Sequence, residues 1–339
     1  MKILVTGGTG YIGSHTVVEL QAKGYDVVIV DNLSNSHLDV LDNIEKISGI
    51  RPEFEQFDLA DIEKTIDFFK RNSDISGIIH FAAFKAVGES VGDPLMYYHN
   101  NIFSLVNILQ SMKDVGVDHL VFSSSCTVYG QPEKLPVAED APVQKAMSPY
   151  GNTKQISEDI IQDTAKATNV NAVMLRYFNP IGGHDSALIG ELPLGVPNNL
   201  VPFITQTAIG LREQLSVFGS DYNTPDGTAV RDYIHVVDLA QAHVIAVDRM
   251  IQEKQKKKVE IFNLGTGNGF SVLEVVNSFE KVSGVKLNYK IVDRRPGDVE
   301  IVYADTKFAN DELGWKAKKS LDEMMDSAWK WEKALKEKN

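Results

Sequence analysis

Tyr150 and Lys154 stand four residues apart. On a helix that spacing puts both on one face. A tyrosine alone, with a pKa near ~10, is a poor base at neutral pH. A cation one turn along favours the phenolate and brings that value down. Upstream, Phe122-Ser123-Ser124-Ser125 closes an apolar run, and a hydroxyl there could share a substrate proton with the tyrosine. The pattern predicts acid/base proton transfer with a substrate.

A second cluster predicts a phosphate-bearing ligand beside that hydroxyl. Gly7-Gly8-Thr9-Gly10-Tyr11-Ile12-Gly13 lies between an apolar run and an amphipathic one. Small residues there let backbone approach a pyrophosphate, which a helix N-terminus attracts. Asp31 falls where an acid would grip the adenosine ribose hydroxyls. It would also repel a 2′-phosphate, favouring NAD over NADP. Asp58, after the alternating stretch 53–57, is a weaker candidate for contact with the adenine amino group. A bound nicotinamide would add a second positive charge beside Tyr150.

These residues need a scaffold. Strands are expected over 2–6, 26–31, 78–82, 120–123 and 172–175, with helices over 11–23, 104–115 and 150–168. Ser148-Pro149 is a suitable start for the last helix. Strands spaced by helical patterns mean βαβ units and a parallel sheet. The fold class is therefore α/β, a Rossmann-type doubly wound parallel sheet with a smaller C-terminal substrate domain. From about Asn179, Gly and Pro become frequent, and 233–250 resumes a strand-turn-helix pattern. The expected division gives 1–178 to an NAD-binding domain, together with about 232–262. The remainder of 179–339 goes mainly to an interleaved substrate-binding domain.

Composition narrows the function classes. The 339 residues are 43% hydrophobic and 24% charged, as in ordinary globular proteins. A formal charge of −12 argues against nucleic acid as partner, because phosphate-backbone binding needs a basic surface. A single cysteine, Cys126, rules out a disulfide within the chain and argues against a cysteine-built zinc site, so no metal is expected. The apolar run Ile3-Leu4-Val5 is too short for a signal peptide, and no run nears the ~20 residues of a membrane helix. The expected location is the cytoplasm, with no membrane partner.

Thr6 to Gly13, Ser123 to Ser125 and the Tyr150/Lys154 pair together resemble the extended short-chain dehydrogenase/reductase superfamily. Further stretches narrow the resemblance to its UDP-glucose 4-epimerase family. They are His80-Phe81-Ala82-Ala83-Phe84-Lys85-Ala86-Val87-Gly88-Glu89-Ser90, Arg176-Tyr177-Phe178-Asn179-Pro180, Pro197-Asn198-Asn199-Leu200, Gly227-Thr228, Val230-Arg231-Asp232-Tyr233-Ile234-His235-Val236 and Asn263-Leu264-Gly265. The resemblance implies Ser125, Tyr150 and Lys154 as the catalytic trio. It implies NAD contacts from Gly7, Gly10, Tyr11, Ile12, Gly13, Asp31, Asn32, Asp58, Leu59, Phe81, Ala82, Lys85, Asn100, Tyr150, Lys154, Tyr177 and Phe178. It implies UDP-sugar contacts from Lys85, Ser125, Tyr150, Asn179, Asn199, Leu200, Val217, Phe218, Arg231, Tyr233, Arg295, Asp298 and Val302. The implied reaction interconverts UDP-glucose and UDP-galactose through a 4-keto sugar that turns about its link to the diphosphate. A homodimer joined through helices at 100–112 and 150–168 is also implied.

Two enzymatic rivals share the first oxidation: a sugar-nucleotide 4,6-dehydratase and a decarboxylase. The dehydratases carry an Asp-Glu pair just after the serine or threonine. Here Cys126 and Thr127 occupy those positions and cannot act as an acid and a carboxylate. A nucleotide-sensing regulator would need no Tyr/Lys pair. Val302 stands where the resembled family varies in bulk beside the sugar. Valine there is expected to leave room for the acetamido group of UDP-N-acetylated hexoses.

Overall fold

The computed structural model describes residues 1–295 and 299–338. Its first half runs β1 (Lys2–Thr6), α1 (Tyr11–Ala22), β2 (Asp26–Asp31), α2 (Val40–Ser48), β3 (Glu53–Gln56), α3 (Ile62–Arg71), β4 (Ile75–His80), α4 (Val87–Gly92), α5 (Pro94–Val115), β5 (His119–Ser125), α6 (Pro149–Ala167) and β6 (Asn171–Tyr177). Then follow β7 (Asn179–Ile181), α7 (Leu200–Ala208), β8 (Leu215–Phe218), β9 (Val230–Arg231), β10 (Tyr233–His235), α8 (Val236–Ile251), β11 (Val259–Leu264), β12 (Phe270–Ser271), α9 (Val272–Ser283), β13 (Tyr289–Val292), β14 (Ile301–Val302) and α10 (Leu321–Lys338).

Seven parallel strands form the main sheet in the order β3-β2-β1-β4-β5-β6-β11. Consecutive apolar residues such as Ile3, Leu4 and Val5 are all fully buried, because helices cover both faces. On one face Val5, Ile29, Val121 and Leu175 pack with Leu239 and Val247 of α8. On the other, Leu4, Ile78, Phe122 and Met174 pack with Leu105 and Ile108 of α5 and Ile161 of α6. The chain leaves β1 in one direction and β4 in the other. That reversal opens a crevice at the carboxyl ends of the strands.

Local chemistry sets the helix starts. The Ser148 hydroxyl accepts from the Gly151 N–H, and Pro149 takes the first position of α6. Helix α5 begins at Pro94 behind the Asp93 cap, ten residues ahead of the expected start at 104. Its first turns carry Tyr97, Tyr98, His99, Asn100 and Asn101, which lack an aliphatic period although Tyr97 and Asn101 are buried. Strand β10 passes straight into α8, with no turn between them, because His235 caps the helix by accepting from the Val237 N–H at 3.1 Å.

The second half builds shorter pieces. Strand β10 pairs with β7, β9 lies between β12 and β14, and β13 pairs with β8. Helices α7, α9 and α10 enclose a separate apolar cluster around Ile204, Phe279, Met325 and Trp329. Strand β11 returns to the main sheet beside β6. No described helix is long and apolar enough to cross a membrane.

Candidate active site

The glycine loop joins β1 to α1 where the sheet order reverses. Gly7 has φ +69, and a Cβ there would meet the Ala82 nitrogen at 2.8 Å. A Cβ on Gly13 would fall 2.2 Å from the Gly7 carbonyl oxygen. The start of α1 is therefore pressed against β1 and β4. Gly10 caps the helix without a side chain, leaving backbone N–H groups at its N-terminus for an anion. Tyr11 and Ile12 open α1. The Tyr11 hydroxyl donates to the Gly182 carbonyl at 2.7 Å, tying the loop to the second half of the chain.

Asp31 ends β2 beside this loop. Its carboxylate accepts from the N–H of Leu33 at 2.9 Å and of Thr9 at 3.3 Å. Asn32 follows and donates to the Asp58 carboxylate at 3.4 Å. Asp58 also accepts from the Ala60 N–H at 2.8 Å, and Leu59 beside it is buried. Phe81 and Ala82 continue β4, with the Phe81 N–H donating to the Thr6 carbonyl at 3.1 Å. These residues form a continuous rim from the glycine loop to the ends of β2, β3 and β4. The tight glycines, the side-chain-free helix start and the acid at the end of β2 fit a dinucleotide.

The Tyr/Lys pair sits on the neighbouring rim. Tyr150 is the second residue of α6 and Lys154 lies one turn on. Lys154 is buried, donates to the Ser123 carbonyl at 2.6 Å, and lies 4.9 Å from the Phe122 ring and 6.0 Å from the Tyr150 ring. Burial brings its pKa down to about 8, against the opposing pull of Glu158. Burial pushes the Tyr150 phenol up, and the Ser125 hydroxyl acts in the opposite direction. His80 sits nearby, held near 3 by burial and by the Lys154 charge, so it is neutral. Ser125 ends β5, and its hydroxyl accepts from the Thr127 N–H at 3.2 Å. Ser123 hydrogen-bonds the Tyr177 hydroxyl, whose pKa burial raises to about 12. Without a further cation, the pair favours a neutral phenol. A positive ring beside Tyr150 would tilt it towards the phenolate.

Lys85 and Asn199 come from distant stretches and meet on one carboxylate. Glu191 accepts from Lys85 at 3.2 Å and from Asn199 at 2.6 Å, while its carbonyl accepts from Trp331 at 2.9 Å. Asn100, on α5, donates to Asn101, which in turn bonds Phe84 and Thr153. Leu200 starts α7 and Asn179 starts β7, where its N–H donates to the Asp232 carbonyl at 3.0 Å.

Arg231 on β9 pairs in register with Val302 on β14. Its neighbour Asp232 is fully buried and accepts from Thr266, Gly267 and Ala304. Burial raises the Asp232 pKa, and these donors tie β9, the 265–267 turn and β14 together. Tyr233 and Val217 are buried on β10 and β8, and the Arg295 guanidinium lies 4.6 Å from the Phe218 ring. Val302 packs with Val128, Tyr129 and Phe178, directly after the Ser125 strand. Asp298 lies outside the described residues. Cys126 packs beside the same cluster with its thiol pushed up to about 12 by burial.

Three residues at or directly behind the site carry no role in the sequence reading: Glu158, Glu191 and Asp232. Only Glu158 left a signal, since it repeats the four-residue step from Tyr150 through Lys154.

The arrangement juxtaposes a dinucleotide cradle, a phenol–ammonium pair with a serine hydroxyl, and an arginine-bearing strand. Residues 4–328 match the family described as GDP-mannose 4,6 dehydratase. The chain is 52% identical to the UDP-glucose 4-epimerase of Bacillus subtilis, covering 98% of this chain and 97% of that one. It is similar to the crystal structure of UDP-glucose-4-epimerase from Stenotrophomonas maltophila with bound NAD and formylated UDP-arabinopyranose: 48% identity, TM-score 0.96, 100% of both chains covered. A third likeness is to the UDP-glucose 4-epimerase from Bifidobacterium longum in complex with NAD+ and UDP, at 46% identity, TM-score 0.94 and 98% coverage of both chains.

Proposed function

The chain belongs to the UDP-glucose 4-epimerase family of the extended short-chain dehydrogenase/reductases, and on that footing we propose how its residues divide the work. The enzyme is an NAD-dependent isomerase that interconverts UDP-glucose and UDP-galactose by inversion at C4 through a 4-keto intermediate. Dehydration is not favoured, because Cys126 and Thr127 supply no carboxyl group after Ser125.

Tyr150 takes the proton of the sugar 4-hydroxyl and later returns it, with Ser125 sharing the hydrogen bond. Lys154 holds positive charge beside the phenolate. NAD, when bound, supplies the hydride acceptor and donor at C4. Gly7, Gly10, Tyr11, Ile12 and Gly13 hold its pyrophosphate. Asp31 and Asn32 hold the adenosine ribose, Asp58 and Leu59 border the adenine, and Phe81, Ala82, Lys85, Asn100, Tyr177 and Phe178 line the remaining length. Arg231 and Arg295 present forked donors to the substrate diphosphate. Asn179, Asn199, Leu200, Val217, Phe218, Tyr233 and Asp298 hold the UDP, while Val302 borders the sugar. The observation that carries this reading is the buried Lys154 on the Ser123 carbonyl, one turn from Tyr150 and beside Ser125. Incubating the purified chain with UDP-galactose and NAD should yield UDP-glucose. A dehydrated or decarboxylated product would overturn the reading.

Residues 1–178, with about 232–262, form the NAD-binding part, and the rest of 179–339 mainly the UDP-sugar part. The return of β11 to the main sheet supports that division. The protein is a cytoplasmic homodimer. Helix α5 exposes Leu95 (78%), Phe103 (52%) and Val106 (40%), and His99 stacks on Phe103. Covering that apolar stripe with a second copy explains it. Sedimentation at micromolar concentration should give the dimer mass, and a monomer would contradict this assignment. N-acetylated UDP-hexoses are substrates as well. Val302 is the smaller choice at its position, and Tyr303 lies instead against Gly269.

A further inference from the structure

Tyr150, Lys154 and Glu158 form a row on one face of α6 at successive turns. The first two face the site, whereas Glu158 does not reach it. Its carboxylate is buried and accepts from the Ser124 hydroxyl at 2.5 Å, from Arg176 Nε at 2.9 Å and from Arg176 Nη2 at 2.6 Å. Ser124 and Arg176 are register partners on β5 and β6. Arg176 also donates to the Tyr129 hydroxyl at 3.0 Å and to the Glu139 carbonyl at 3.3 Å. Tyr129 in turn donates to Asn263 of β11 at 2.6 Å. One helical carboxylate is thus tied into three adjacent strands.

Stability alone is a poor reason for this cluster. A buried ion pair often contributes no more than an apolar pair of similar volume, because both ions are desolvated. Helix α6 already buries Ile161 against the sheet. An apolar contact, however, tolerates small slips and rotations, while a two-point carboxylate–guanidinium contact fixes both. Ser124 sits between Ser123, whose carbonyl holds Lys154, and Ser125, so anchoring Glu158 there sets the helix against the strand that carries the Ser125 hydroxyl.

We propose that Glu158, held by Ser124 and Arg176, is a positioning residue for proton transfer. It sets the height and rotation of α6, and hence the place of Tyr150 and Lys154 against Ser123 and Ser125. The proposal rests on the reading that Tyr150 moves the substrate proton. Glu158 also keeps negative charge behind Lys154, which favours the ammonium. The titratable groups around the pair are Glu158 on the same helix, His80 from β4, Tyr97 from α5, Cys126 just after β5 and Tyr177 from β6. His80 is neutral, and the two tyrosines and the Cys126 thiol are protonated, so Glu158 is the charge whose loss Lys154 feels.

The test compares holoenzyme variants in kcat, KM for UDP-galactose, thermal midpoint and pH profile. Glu158→Gln should lower kcat about 30- to 100-fold, the range a displacement on the order of 1 Å produces, with KM unchanged. The alkaline fall in kcat that reports Lys154 losing its proton should move to lower pH. Glu158→Met combined with Arg176→Met should regain the parental thermal midpoint while kcat stays low. Recovery of parental kcat with that midpoint would overturn the proposal, because Glu158 would then serve folding only. Should Glu158→Gln fail to fold, Ser124→Ala decides, since it leaves the ion pair whole. A several-fold loss of kcat at an unchanged midpoint supports the proposal, and parental kcat overturns it. Tyr150→Phe is assayed in parallel. If it too turned over at the parental rate, the site reading would have failed rather than the positioning role of Glu158.

Discussion

The two halves of the candidate site are built in opposite ways. Tyr150, Lys154 and Ser125 stand on a nineteen-residue helix and a seven-residue strand, both packed into the main core. The dinucleotide rim starts from the same sheet. Asn179, Arg231 and Val302 stand instead on strands of three, two and two residues. These short strands are held in place by single buried groups such as Asp232. Proton transfer fails when atoms shift by an ångström, so it belongs on long elements fixed at many points. Holding a sugar that must turn over requires shape and a few forked donors, which short strands and loops supply and can vary.

The sharpest way to break this contrast is at Tyr150. Tyr150→Phe should lower kcat by ~10²–10⁴-fold and leave NAD bound, because the fold of α6 does not depend on the hydroxyl. Turnover of UDP-galactose near the parental rate would remove Tyr150 from the role of base. Asp31→Ala should act on the cofactor instead. Losing hydrogen bonds to a charged group is worth ~1.5–3 kcal/mol, so NAD affinity should fall about 10- to 100-fold, with weaker discrimination against NADP. Titration of the apoprotein reads this directly, and equal affinity would make Asp31 a turn residue only. The smallest effect on the common reaction is expected at the second half. Val302→Tyr should leave UDP-galactose turnover in place but abolish conversion of UDP-N-acetylglucosamine to UDP-N-acetylgalactosamine. No N-acetylgalactosamine product from the parent, or equal activity in both, would show that this position does not gate the sugar pocket.

The same contrast explains what the sequence made legible. Tyr150/Lys154, Ser125, the glycine loop and Asp31 could be read because each sits at the end of a regular element with a clear period. Helix α5 was legible only from its aliphatic second half, since the turns around Tyr97 and Asn101 bury polar and aromatic groups through side-chain bonds. Helices α2 and α3 were not read at all, being short and outside the motifs. In the second half, β9 joins strands from forty and seventy residues downstream, and no local pattern announces such pairing. Glu191 illustrates the limit: its neighbours in sequence say nothing of Lys85 and Asn199, which it joins in space. Glu158 was visible as a third member of a helical row, but its partners on β5 and β6 were not.

The placement of β11 has a consequence for the chain while it is being made. Strand β6 is complete at Tyr177, but its outer neighbour ends only at Leu264. At ~5–20 residues per second of translation, the growing chain carries β6 as an open parallel edge for on the order of ten seconds. That edge is rich in buried aliphatics, Val173, Met174 and Leu175 among them, and an open apolar edge invites pairing with another chain. The sheet is therefore unfinished on one side while the chain is still being extended, and a transcript truncated before β11 would yield a product prone to aggregate rather than a smaller working unit.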